Sequence, residues 1–193
     1  MKPYLKRAWA EISLSALEAN IRAISASLQG NTQIMAVVKA DAYGHGEAEI
    51  LQKLTQIGVR YFAVSNLDEA LHVRQYCPDS DVLILGYTPP EDADTLAQNN
   101  IIQGIASAEY ACTLNARTRT PIRCHVKLDT GMGRIGITGD TPGDCADSIQ
   151  DMSFLRNLKI EGIYTHFHLE LARITKNTKL HQLNKYHFSH LEF

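Results

Sequence analysis

Residues 36–46 read Ala-Val-Val-Lys-Ala-Asp-Ala-Tyr-Gly-His-Gly. An apolar run from Ile34 to Val38 ends in a single lysine, Lys39, and a glycine-punctuated turn follows at once. The run predicts a buried strand that delivers one amine to the C-terminal edge of a sheet. Parallel α/β folds build their sites at that edge. Poor solvation there favours the neutral amine, and a neutral amine attacks a carbonyl to give a Schiff base. The plainer alternative is a surface lysine that snorkels into solvent. Gly44 and Gly46 permit close backbone approach. Tyr43 and His45 share the turn; by residue type alone Tyr43 reads as packing and His45 as a polar turn residue.

A second constellation runs from His125 to Gly136, His-Val-Lys-Leu-Asp-Thr-Gly-Met-Gly-Arg-Ile-Gly. A strand carrying Lys127 leads into a glycine-rich loop that presents Arg134. A loop of this kind after a strand can cradle an anion. Arg134 is a candidate clamp for a carboxylate or phenolate oxygen, with a solvated loop arginine as the alternative. The spacing matches neither the Walker A pattern nor GxGxxG, so the nucleotide motifs fail.

The third piece is Glu161-Gly162-Ile163-Tyr164-Thr165-His166-Phe167, which places His166 at the end of a strand. Further histidines follow at His168, His181, His187 and His190. No acidic partner or cysteine completes a ligand set, so no metal site is expected. Leu180, Leu183, Phe188 and Leu191 read instead as the apolar face of a last helix.

These residues need elements to position them. Ser15-Ala16-Leu17-Glu18 has the capping-box pattern, and Leu14, Leu17, Ile21, Ile24 and Leu28 then recur at helical spacing up to Gly30. Strands are expected over Ile34–Val38, Tyr61–Val64, Val82–Leu85, Ile101–Ile105, Ile122–Leu128 and Ile160–Thr165. Helical segments lie between them: Ile50 to Ile57, one capped at Asn66, residues 92–98, one capped at Ser107, residues 144–152, and finally 178–191. Short apolar strands alternating with helices mean parallel βα units. An open doubly wound sheet and a (β/α)₈ barrel both satisfy the pattern, and the length falls short of the ≈ 250 residues a closed barrel takes.

The chain has 193 residues, 45% hydrophobic and 21% charged, with a net charge of −2. That is ordinary for a soluble globular protein and gives no general attraction to nucleic acid or anionic membrane. Cys77, Cys112, Cys124 and Cys145 form no CxxC pair, so neither a zinc site nor a disulfide framework is expected. Met1 to Trp9 is short and basic with no apolar core behind it, and no window is apolar enough to span a bilayer. A cytoplasmic location is the expectation.

Val37-Val38-Lys39-Ala40-Asp41-Ala42-Tyr43-Gly44-His45-Gly46 resembles the cofactor-attachment segment of the alanine racemase family, pyridoxal-phosphate (PLP) enzymes with an N-terminal barrel. Val126-Lys127-Leu128-Asp129-Thr130-Gly131-Met132-Gly133-Arg134-Ile135-Gly136 is similar to that family's second signature. The likeness runs from about Arg7 to Phe167. It implies that Lys39 holds PLP as a Schiff base and is one of two acid–base groups that move the Cα proton. By the same resemblance Tyr43 contacts the cofactor phosphate. Arg134 lies near the phenolic oxygen and the substrate carboxylate, and His166 lies under the ring. Lys127 matches a lysine often carried as an N-carbamate, an anion able to orient Arg134.

The fold implied is an α/β, TIM-type parallel (β/α) barrel, one PLP-binding domain over 1–193, incomplete at about six βα units. The family's C-terminal β-domain, with the catalytic tyrosine it sends into the partner subunit of a homodimer, is expected to be absent. The reaction implied is interconversion of L- and D-alanine for cell-wall peptidoglycan, with serine as a further substrate of related racemases. Other readings are a non-catalytic or degraded fragment, a stand-alone PLP-binding barrel of the cofactor-homeostasis type, and an amino-acid decarboxylase of the same fold type.

Overall fold

The computed structural model describes residues 9–167, and the expected helix over 178–191, with its histidines, lies outside them. The fold is α/β with six parallel strands alternating with helices, TIM-barrel-like in architecture. The chain forms two compact units, Met1–Val82 and Leu83–Phe193.

The first unit begins with α1 (Leu14–Ser27), followed by β1 (Met35–Val37) and a short turn, α2 (Lys39–Gly44). Then come α3 (Glu47–Gln56), β2 (Tyr61–Val64) and α4 (Leu67–Tyr76), and β3 (Asp81–Ile84) starts here. β1 pairs with β2 in parallel, Met35 opposite Tyr61 and Val37 opposite Ala63. The unit's core is built from Leu51, Leu54, Phe62, Val64, Ala70 and Val73, all buried.

Two expectations are corrected here. The cap of α1 is Ser13, whose hydroxyl accepts from the Ala16 N–H, rather than Ser15. No residue of α1 is buried, so its apolar stripe is only half covered. The helix is instead tied to α3 by the ion pair of Glu18 with Lys53. β1 is likewise not a buried strand, since Met35 and Ala36 are half-buried and Val37 is 41% exposed.

In the second unit a 3₁₀ turn (Pro90–Asp92) leads into α5 (Ala93–Gln98), then β4 (Ile102–Ile105), α6 (Ala108–Arg117), β5 (Ile122–Leu128), α7 (Pro142–Ser153) and β6 (Leu158–Thr165). β3 pairs with β4, β4 with β5 and β5 with β6, all in parallel. Ile84, Leu96, Ile101, Ile105, Leu114, Ile122, Val126 and Ile149 fill its core. Two of the helices start on side-chain caps: Ser107 on α6, and a full capping box of Thr141 with Asp144 on α7, where Pro142 takes the first turn.

Close approach explains two glycines. A Cβ on Gly104 would lie 2.6 Å from the Tyr164 hydroxyl and 2.7 Å from the Ile84 carbonyl oxygen. A Cβ on Gly162 would lie 2.9 Å from the His125 ring, beside the register shift in the β5–β6 ladder.

Candidate active site

Lys39 is separated from the end of β1 by one residue, Val38, but the backbone beyond it is unexpected. Ala40, Asp41, Ala42 and Tyr43 all have positive φ, between 51° and 57°, and Gly44 continues at 78°. α2 is therefore a left-handed turn. Each such residue costs an L-amino acid roughly 1–2 kcal/mol, so the surroundings must hold it.

They do so through named bonds. The Val38 N–H donates to the Ala63 carbonyl (2.9 Å), and the Ala42 N–H to the Val38 carbonyl (2.9 Å). The Ala40 N–H donates to Oε1 of Glu69 (2.8 Å). Oδ1 of Asp41 accepts from the Glu47 N–H (2.6 Å) at the start of α3. Nδ1 of His45 lies 2.8 Å from the Ala42 carbonyl, the polar turn role expected of it.

Lys39 as a residue is half-buried, with Nζ 6.0 Å from the centre of the Tyr43 ring, and Tyr43 is 59% exposed. The first unit thus brings Lys39 and Tyr43 together.

Lys127, Arg134 and His166 belong to the second unit. Lys127 is 5% exposed. Its amine donates to the Leu128 carbonyl (2.8 Å) and lies 5.8 Å over the Tyr164 ring. Burial pushes its pKa down; the Arg134 charge adds to this, and the Asp129 carboxylate opposes it. Burial also pushes the Tyr164 phenol up to about 12.

The glycine-rich loop after β5 closes on itself. Ile137 donates to the Lys127 carbonyl (2.8 Å) and accepts from the Asp129 N–H (3.0 Å). Oδ1 of Asp129 accepts from the N–H groups of Gly131 (2.9 Å) and Gly133 (3.0 Å). These bonds hold the Asp129 carboxyl below the usual carboxylate range. The expectation that this loop cradles an external anion needs correction: its Gly131 and Gly133 amides are turned onto its own aspartate. What the loop presents to solvent is Arg134, which is exposed.

His166 follows β6 directly. The preceding Thr165 hydroxyl meets the Thr130 hydroxyl (2.8 Å) and donates to the Leu128 carbonyl (2.9 Å), which ties the end of β6 to the start of the arginine loop.

A cavity of about 400 Å³ opens beside that loop, lined by Leu85, Gly86, Tyr87, Gly104, Tyr110 and Ile135 among others. Its β3 side is fixed by Gln103, which is fully buried. The Gln103 amide accepts from the Thr88 hydroxyl (2.6 Å) and donates to the Gly86 carbonyl (2.8 Å). Glu69, Asp129 and Gln103 carry the local geometry, yet residue types alone assigned them no role. Asp129-x-Gly131 is the one with a readable signal, an Asx-turn pattern.

No group of three or more metal-ligating side chains occurs among the described residues. No helix among them is long and apolar enough to cross a membrane. All four cysteines are free thiols.

Parallel strands, an amine at the end of β1 and an arginine loop after β5 define the class as an α/β, TIM-barrel-like protein with polar side chains at strand ends. The family model described as "Alanine racemase, N-terminal domain" matches residues 12–189, and the chain belongs to that family.

An amino-acid racemase of Enterococcus faecalis is 44% identical over 161 residues, 83% of this chain and 22% of that protein. An alanine racemase of Desulfovibrio desulfuricans is 40% identical over 162 residues, 82% of this chain and 43% of that protein. The crystal structure of alanine racemase from Bacillus anthracis with bound L-Ala-P superposes with a TM-score of 0.82 at 28% identity, over 95% of this chain and 47% of that one. The chain thus spans less than half the length of these relatives.

Proposed function

We propose that the chain carries the cofactor half of a PLP-dependent amino-acid racemase site acting on alanine. The observation that carries this reading is Lys39: a half-buried residue just past β1, at the start of a left-handed turn held by hydrogen bonds, with its amine 6.0 Å from the Tyr43 ring.

The donor set fits PLP. Lys39 offers a primary amine for its aldehyde, Tyr43 a phenol for its phosphate, and Arg134 a guanidinium for the phenolic oxygen or a substrate carboxylate. His166 is assigned to the underside of the ring. When bound, the cofactor supplies an electron sink that acidifies the Cα–H of an amino acid. Lys39 Nζ carries the Cα proton on one face. Racemisation needs a second carrier on the opposite face, which the resemblance assigns to a tyrosine from a partner subunit's C-terminal domain.

Lys127 is proposed to be an N-carbamate. A neutral, poorly solvated amine attacks carbon dioxide, the N–C bond forms, and one proton leaves to solvent. The product places a negative charge where the ammonium would have faced Arg134. A cytoplasmic homodimer that supplies D-alanine for peptidoglycan is the wider role proposed.

The test is the visible spectrum on adding PLP. An imine band in the unaltered chain that is lost in Lys39→Ala supports the reading. An equal band in both contradicts it.

A further inference from the structure

We infer that Glu69 is a positioning residue for Lys39, a role that rests on the Schiff-base reading above. A glutamate at the third position of a helix ordinarily reaches back to the N-cap N–H. The Asn66 side chain already caps α4 by accepting from the Glu69 N–H (3.0 Å). The Glu69 carboxylate is divided differently. Oε2 accepts from the Ser65 N–H (2.7 Å), just past β2, and Oε1 accepts from the Ala40 N–H (2.8 Å).

Ala40 is the first of four consecutive non-glycine residues with left-handed backbone. Lys39 therefore sits between two pins: the Val38 N–H on Ala63 at the end of β2, and the Ala40 N–H on Glu69 at the start of α4. An orphaned N–H at Ala40 would remove the bond at the first left-handed residue and leave the run to the Ala42 N–H on Val38 and the Glu47 N–H on Asp41. The run would then relax toward right-handed or extended backbone, which L-residues prefer. The direction in which the Lys39 side chain departs would change with it. A bond to a charged acceptor is among the stronger protein hydrogen bonds, which suits this load. Glu69 touches neither cofactor nor substrate in this role; it acts through the backbone of Lys39.

The test compares the unaltered chain with Glu69→Ala, Glu69→Gln and Asp68→Asn. The last removes a first-turn charge from the same helix without touching Ala40. Amide hydrogen exchange over residues 39–44 is measured without cofactor, and the growth of the PLP imine band is followed well below each melting temperature. The expected result in Glu69→Ala is exchange over 39–44 faster by about ten-fold and imine formation slower by about ten-fold, the size set by losing one charge-assisted hydrogen bond. Asp68→Asn should match the unaltered chain. Glu69→Gln, which keeps one acceptor oxygen, should fall between and serves alone if the alanine variant does not fold.

Unchanged exchange, or imine formation that keeps its rate once corrected for the folded fraction, overturns the Glu69 role while leaving Lys39 assigned. Failure of the unaltered chain to form an imine at Lys39 overturns the Schiff-base reading and this role together.

Discussion

The Lys127 amine lies 5.8 Å over the ring of Tyr164, directly across the β5–β6 ladder from it, and donates to the carbonyl of its own neighbour Leu128. A cation held this far from water, with Arg134 beside it, is disfavoured, and its pKa is pushed down. Protonation of the folded chain therefore costs stability at low pH. Between the depressed value and the unfolded value near 10.4 the unfolded chain binds more protons, so stability rises with pH across that window. Lys127→Met should flatten the rise in chemical denaturation followed against pH. An unchanged slope would remove Lys127 as its source.

The same amine should take up carbon dioxide. Incubation with ¹³C-bicarbonate near neutral pH is expected to give a carbamate carbon signal that Lys127→Ala lacks. A signal surviving that substitution would locate the carbamate elsewhere.

The Asp129 carboxyl is held low by the Gly133 and Gly131 amides. Its contribution is fully present above the unfolded carboxyl value of about 3.9 and is lost as pH falls through the lower folded value. Asp129→Asn keeps an oxygen acceptor but no charge. Its acid-unfolding curve should be less steep below about pH 4 than that of the unaltered chain. Coincident curves would mean the loop does not depend on the charge.

Gly104→Ala drives a methyl group into the Tyr164 hydroxyl and the Ile84 carbonyl, at 2.6 and 2.7 Å. Overpacking of this kind costs roughly 1–3 kcal/mol. Gln103→Leu strips the Thr88 hydroxyl and the Gly86 carbonyl of buried partners and should cost about 1–3 kcal/mol for each group left unsatisfied. Both effects are read in denaturant midpoints, and a change within about 0.5 kcal/mol, the range of a neutral surface substitution, would contradict the packing described.

The strand framework was readable because apolar runs end where punctuation begins. Tyr61–Val64 and Ile122–Leu128 carry the bounds expected of them, and Asn66 and Ser107 cap the helices they were expected to cap. At α1, two serines at Ser13 and Ser15 compete for one cap, and local pattern does not decide between them. The left-handed turn was not readable. Ala40, Asp41, Ala42 and Tyr43 carry no preference for positive φ as a group, and two of the bonds that hold the segment come from Ala63 and Glu69, more than twenty residues away in sequence. The cap at Asn66 was visible, but the use of the Glu69 carboxylate to hold the Ser65 and Ala40 N–H groups exists only in three dimensions. The arginine loop was visible as a loop and Asp129-x-Gly131 as an Asx-turn pattern, whereas the bridge of Leu128 with Ile137 that closes the loop carried no local signal.

Arg134→Ala should leave the fold intact, since the side chain is exposed, and weaken cofactor or substrate-carboxylate binding by roughly ten-fold or more. Fluorescence titration with PLP and then with alanine checks this, and unchanged affinity for both would count against the clamp.

One lysine, Lys39, is proposed to bond the cofactor. Borohydride reduction of the PLP-treated chain, followed by peptide mass mapping, is the measurement to make first. One pyridoxyl group is expected, on the peptide containing Lys39, with Lys127 unlabelled. A label spread over surface lysines, or none at Lys39, would contradict it.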